Sequence, residues 1–142
     1  MQIQTYHINL KTKGFTDIHD ITPAAQKLIS KSKIKNGQTT FFVVGSTAGL
    51  TTVEYEPGLI QDLQEVFEKI APQEEYYHHE ETWHDGNGFS HVRASLLKPH
   101  LVVPIVSGKL TLGTWQQVIL IDFDNRPRDR QVVVQVLGES RD

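Results

Sequence analysis

The sequence predicts an α+β fold: a single domain, mainly antiparallel β-sheet packed with two principal helices. Three observations carry this. Helical periodicity is confined to the first half of the chain. The second half is a succession of short β-branched runs joined by tight turns, as antiparallel strands are. The length, 142 residues without an internal repeat, linker or low-complexity segment, matches one domain over 1–142.

Residues 2–10 alternate loosely, with Tyr6, Ile8 and Leu10 on one face, and read as a first strand. Thr22-Pro23 opens a helix, with Thr as cap and Pro at the first helical position. Ala24, Leu28 and Ile29 form its apolar stripe, and Asn36-Gly37 is the expected stop. Residues 39–44 are β-branched and aromatic, so a buried strand is expected there; a shorter one, 51–54, follows the break at Gly49. The clearest helix is Pro57–Ile70. Leu59, Ile60, Leu63, Val66, Phe67 and Ile70 keep its 3.6-residue period, and Glu65 and Lys69 pair on its outer face. The stretch 73–91, rich in His, Glu, Asp and Gly, is too polar for a core element and reads as a loop. Strands are expected over 101–106 and 109–112, joined by the two-residue turn Ser107-Gly108, and over 117–123 and 131–137, joined through Asp124-Asn125-Arg126-Pro127.

Composition narrows the function classes. No cysteine is present, which excludes disulfides and thiolate zinc sites, so any metal must be held by His, Asp or Glu. The net charge of −3, from 14 basic and 17 acidic residues, carries no footprint for nucleic acid. The one basic cluster, Arg126-Pro127-Arg128-Asp129-Arg130, is diluted by Asp122, Asp124 and Asp129. No apolar run reaches the roughly 18 residues of a membrane span, and Met1-Gln2-Ile3-Gln4-Thr5 has no signal-peptide character, so the cytoplasm is the expected compartment.

Histidine is the unusual count: seven in all, four of them between positions 78 and 91. Imidazoles beside carboxylates suit zinc or another divalent metal, and they equally suit proton transfer near neutral pH. Gly86 and Gly88 allow close approach of backbone to a ligand. The bland alternative is a solvated loop with incidental histidines, since no H-E-x-x-H-type motif is present. Elsewhere, Glu54 sits between a strand and a helix, where it can act as a base; Glu56 next to it suits the helix N-terminus. Ser46 and Thr47 lie in a glycine-flanked loop able to hold phosphate, but without a Walker lysine, so no nucleotide cofactor is indicated. Trp115 and Gln116 offer a ring-stacking surface and an amide, against the alternative of a core tryptophan. Arg126, Arg128 and Arg130 can fork onto phosphate, with Arg126 favoured, or pair with the neighbouring aspartates. Arg93, two residues beyond His91, would share its face on a strand and serve as its anion partner.

Several blocks together carry a family resemblance. Trp83-His84-Asp85-Gly86-Asn87-Gly88, Ser90-His91-Val92-Arg93-Ala94-Ser95-Leu96, Leu112-Gly113-Thr114-Trp115-Gln116-Gln117 and Phe123-Asp124-Asn125-Arg126-Pro127-Arg128 resemble the YjbQ-like family. Gly45-Ser46-Thr47-Ala48 with Glu54-Tyr55-Glu56-Pro57-Gly58 adds a further block. The resemblance implies a small α+β protein that assembles as a homotrimer. It implies a site containing His79 and His91 near Asp85-Gly86-Asn87. For some members it implies a secondary thiamine-phosphate synthase activity, which joins a pyrimidine pyrophosphate to a thiazole phosphate. Many relatives carry histidine where this chain has Gly45, and close relatives where it has Phe89. His84 would then complete a ligand set of His79, His84 and His91 for a divalent metal, zinc first, and Gly45→His would raise zinc affinity if the backbone tolerates it.

The resulting expectation is an enzyme acting on a small phosphorylated molecule. His91, Asp85, Asn87 and Glu54 are its catalytic candidates. Arg93, Ser46, Thr47, Trp115, Gln116 and Arg126 are expected to bind substrate. The alternative is a non-catalytic trimeric metal- or metabolite-binding protein. Val102, Val103, Ile105, Val118, Ile119 and Ile121 put apolar residues on both strand faces, more than one small sheet needs covered.

Overall fold

Alternation builds the frame. In the computed structural model, which describes residues 1–141, β8 (Arg128–Glu139) turns Arg130, Val132, Val134 and Val136 inward and every second residue outward. β8 pairs with β1 (Gln2–Thr12) on one side and β3 (Asn36–Val43) on the other. β5 (His100–Val106) and β6 (Lys109–Leu110) complete a five-stranded antiparallel sheet in the order β1-β8-β3-β5-β6. A second antiparallel sheet has β7 (Gln117–Asp122) at its centre, between β2 (Asp17–Asp20) and β4 (Ala48–Val53).

The two sheets share a core of Phe41, Val43, Val103, Ile105, Val132 and Val134 against Leu50, Val118 and Leu120, closed by Ala25 and Ile29 of α1 (Thr22–Ser32). The opposite face of the small sheet carries Ile119 and Ile121, followed by Phe123. It is covered by Phe67, Ile60 and Leu63 of α2 (Pro57–Ile70) and by Ala94 and Leu97 of α4 (Gly88–Leu97). Phe67 meets Phe123 edge-on at 4.7 Å between ring centroids. β7 is therefore buried on both faces, which is why it reads as a continuous apolar run. Val118, Ile119 and Ile121 are interior on this account, as are Val103 and Ile105; of the six residues expected to supply a subunit surface, only Val102 is exposed.

The helix over Pro57–Ile70 forms as its period predicts, and Glu56 caps it by accepting from the backbone N–H groups of Gly58 and Leu59. Other boundaries differ. α1 ends at Ser32, with Lys33 in the left-handed conformation, and Asn36-Gly37 opens β3 instead of stopping the helix. Gly49 lies inside β4; a Cβ there would fall 2.8 Å from Leu97 Cδ2 and 2.9 Å from the Lys98 carbonyl, so the glycine lets the end of α4 close on the strand. The polar stretch holds a one-turn helix, α3 (Glu80–Trp83), and the start of α4. No helix among the described residues is long and apolar enough to cross a membrane.

These elements deliver several ends to one place. The C-terminal end of β7, the residue before β4, the start of β8 and the N-terminus of α4 converge on Asp124.

Candidate functional site

Asp124 has no exposed surface, and its carboxylate is bonded from the adjoining turn, from β8, from the residue before β4 and from the start of α4. Oδ1 accepts from the Asn125 amide at 2.8 Å and from Asn87 Nδ2 at 3.2 Å. Oδ2 accepts from Thr47 Oγ1 at 2.9 Å and Arg128 Nε at 2.7 Å. Burial alone pushes this carboxyl up, but the hydrogen bonds from Asn125, Asn87, Thr47 and Arg128 outweigh it and hold the pKa below the ordinary 3.8. Asp122, equally buried, takes both Nε and Nη2 of Arg130 at 2.6 and 3.0 Å, and Arg130 Nη2 also reaches Thr47 Oγ1. Two carboxylates thus balance two guanidiniums beneath the surface.

Above this layer lies a cleft of about 340 Å³ lined by Gly45, Ser46, Thr47, His79, Trp83, Asp85, Asn87, His91, Arg128 and Arg130. His79 and His91 stack with ring centroids 4.2 Å apart. Burial, and then the neighbouring His79, pushes the His91 pKa below 6.5, so its ring is neutral at neutral pH. His79 Nδ1 is buried without a hydrogen-bond partner and lies 3.6 Å from Asp85 Oδ1. His79, Glu80 and Asp85 each offer one ligand atom, all within 4.8 Å of one another. A histidine with one buried, unengaged ring nitrogen beside two carboxylates is a donor set that fits a divalent cation.

A family model described as UPF0047 protein YjbQ-like matches residues 6–139. The chain belongs to the YjbQ-like UPF0047 family. A UPF0047 protein of Archaeoglobus fulgidus is 36% identical over 130 residues, covering 92% of this chain and 98% of that one. The solved structure of a YbjQ-like protein of unknown function from Sulfolobus solfataricus P2 superposes with a TM-score of 0.88 at 30% identity, covering 97% of this chain and all of the other. A conserved YjbQ/UPF0047 protein of Clostridium acetobutylicum gives a TM-score of 0.84 at 32% identity, covering 93% of this chain and 99% of that one.

In this YjbQ-like chain His79, His91, Asp85, Asn87, Ser46 and Thr47 share the cleft. The other candidates lie elsewhere. His84 caps α3 in the left-handed conformation, exposed and outside the cleft, so the set His79, His84, His91 is not gathered; Glu80 and Asp85 stand nearest His79 instead. Arg93 is on α4, not on a strand. Two residues along a helix turn the side chain by about 200°, so Arg93 points away from His91. Its guanidinium is buried and donates to the Ala71 carbonyl, Thr16 Oγ1 and Glu68. Arg126 is exposed on the turn and outside the cleft, whereas Arg128 and Arg130 line it.

Glu54, Trp115 and Gln116 sit at the opposite end of the small sheet. The register pairs Ala48 with Asp122 at the cleft end and Val53 with Gln117 at the other, about 20 Å away along a six-residue strand. There Trp115 is 73% exposed, and Gln116 is spent on Thr52 Oγ1 and the Gly113 amide. The aromatic side chain at the rim of the cleft is Trp83, 68% exposed. Gly45, where the family resemblance led to an expected histidine, has φ +137, and a Cβ there would fall 2.7 Å from Arg130 Nη1. A guanidinium pinned by Asp122 and Thr47 fills that place, so an imidazole cannot be restored there without cost.

Asp122, Asp124 and Glu80 were not singled out from the sequence. One signal for the aspartates was available: they close a continuous apolar run, which places them at the buried end of a central strand.

Proposed function

We propose that this chain is a small-molecule enzyme that acts on a phosphorylated substrate in the cleft beside Asp124. One observation carries the reading. Arg128 and Arg130 bring guanidinium nitrogens to the cleft, and Arg128 Nη1 and Nη2 and Arg130 Nη1 make no hydrogen bond to the described residues. Forked donors of this kind match phosphate oxygens, and the neutral ring of His91 beside them can accept a proton. Asp124 positions Asn87, Thr47 and Arg128 without facing the ligand. His79, Glu80 and Asp85 would hold a divalent cation, zinc first, which when bound supplies Lewis-acid neutralisation of phosphate charge.

The specific version, drawn from the family resemblance, is thiamine-phosphate synthase. It needs a surface on which a flat ring can stack, and Trp83 supports that need better than Trp115. The test is to incubate the protein with the pyrimidine pyrophosphate and the thiazole phosphate, with and without zinc, and follow pyrophosphate release. Release that drops roughly 10²- to 10⁴-fold in His91→Ala supports the reading. A folded protein that binds phosphate but turns over no phosphate ester favours the second reading, a non-catalytic metal- or metabolite-binding protein. One observation favours that alternative: neither ring nitrogen of His91 has a hydrogen-bond partner among the described residues to orient it, as a catalytic base normally has.

The homotrimer belongs to the same proposal, in a cytoplasmic setting. The outer face of the five-stranded sheet exposes Ile3, Phe42, Val44, Val102 and Val106, a spread of apolar surface that a second copy would cover. Light scattering at micromolar concentration tests it; a monomer mass overturns it.

A further inference from the structure

Three buried side-chain polar atoms lack a hydrogen-bond partner among the described residues: Thr39 Oγ1, His79 Nδ1 and Asn87 Oδ1. Two of the residues that carry them, His79 and Asn87, line the same cleft. Asn87 is the more informative, because its amide has only one workable orientation. The residue is 3% exposed, and Nδ2 donates to Asp124 Oδ1 at 3.2 Å. Turning the amide over would set its oxygen against a carboxylate oxygen and lose that bond. Oδ1 is therefore fixed as an acceptor, and the protein supplies it with no donor. A buried acceptor left in this state is costly, and a ligand that brings an N–H or O–H removes the cost.

The surroundings say what else that ligand carries. Asn87 bonds one oxygen of Asp124, while Thr47 and Arg128 bond the other, and Arg130 Nη2 bonds the same Thr47 hydroxyl. The orphaned acceptor and the phosphate-matching guanidiniums thus flank a single carboxylate group. We infer that Asn87 selects the ligand: the cleft takes a phosphate ester that also carries a hydroxyl or amino group close to the phosphate, and Asn87 Oδ1 accepts the hydrogen bond from that group. Asp124 is the positioning residue that holds the amide in this orientation. The inference rests on the phosphate reading above and narrows it from phosphorylated molecules in general to donor-bearing phosphate esters.

The test is calorimetric titration of the full chain with inorganic phosphate, with ethyl and propyl phosphate, and with their counterparts bearing a terminal hydroxyl. The hydroxyl-bearing member of at least one pair is expected to bind roughly ten- to a hundredfold more tightly than its plain partner. Asn87→Ala is expected to abolish the difference within that pair. Equal affinity within both pairs in the wild-type protein overturns the inference and leaves the phosphate reading standing. Failure of every phosphate compound to bind overturns both. If Asn87→Ala does not fold, the wild-type comparison still decides the matter.

Discussion

The two ends of the β4–β7 ladder use similar residue types in opposite ways. At one end Asp122, Asp124, Thr47, Asn87 and Arg130 are buried and bonded to one another across β7, β4, β8 and the start of α4. At the other end Glu54, Trp115 and Gln116 are exposed, and Gln116 is the one of the three whose side chain is hydrogen-bonded among the described residues. A carboxylate, an aromatic ring and an amide beside a strand end look equally capable in a sequence. What separates them is desolvation. Buried charges must be paired and fixed, and fixed groups are the ones able to present unengaged donors and acceptors to a ligand.

The largest effect that would break this contrast is at the buried end. Asp122→Ala strands the Arg130 guanidinium, which is 7% exposed, and is expected to destabilise the protein by about 3–5 kcal/mol. Urea denaturation measures it, and a change no larger than that of a surface residue would refute the burial argument.

Gly45→His comes next. The φ of +137 and the contact with Arg130 Nη1 are expected to cost about 1–3 kcal/mol. Zinc affinity should not rise, contrary to the expectation from sequence that a restored imidazole would strengthen a metal site. Thermal melts paired with a zinc titration separate the two outcomes.

Acid sharpens the comparison further. The pKa of Asp124 is lower in the folded protein than the ordinary 3.8, so its contribution to stability is present in full above that value. That contribution is lost as pH falls through the folded value. Asp124→Asn should therefore be less stable than wild type at neutral pH, with the gap closing below pH 3.8. A gap independent of pH would mean that the carboxylate charge contributes nothing. The smallest effect belongs to the far end: Glu54→Gln is expected to change stability by less than about 0.5 kcal/mol and to leave phosphate affinity unaltered.

Much of the fold was legible. The long helix, the buried strands and the antiparallel pairing follow from periodicity and turn chemistry, because α2 and strands such as β8 alternate or repeat on one buried face, while β7, buried on both, reads as one apolar run. α4 was not legible, since Gly88 to Arg93 is mixed in polarity and both sides of the helix make contacts. That single miss sent Arg93 to the wrong place, because a strand and a helix put residues two apart on opposite assignments of face. The histidine cleft was partly legible, as His79, Asp85, Asn87 and His91 are close in sequence. Its other wall was not: Thr47, Asp124 and Arg130 meet only through strand pairing, and the alternation of β8 sends Arg130 inward while Arg126 stays on the turn. Periodicity reports burial along one element and says nothing about which ends of different elements meet.

The central claim is that the Arg128–Arg130 wall of the cleft holds phosphate, and the exposed arginine two residues before it provides the control. Calorimetric titration with inorganic phosphate should show Arg128→Gln weakening binding by about tenfold or more, while Arg126→Gln stays within roughly twofold of wild type. Equal affinity in Arg128→Gln and wild type, or a loss confined to Arg126→Gln, would contradict the account.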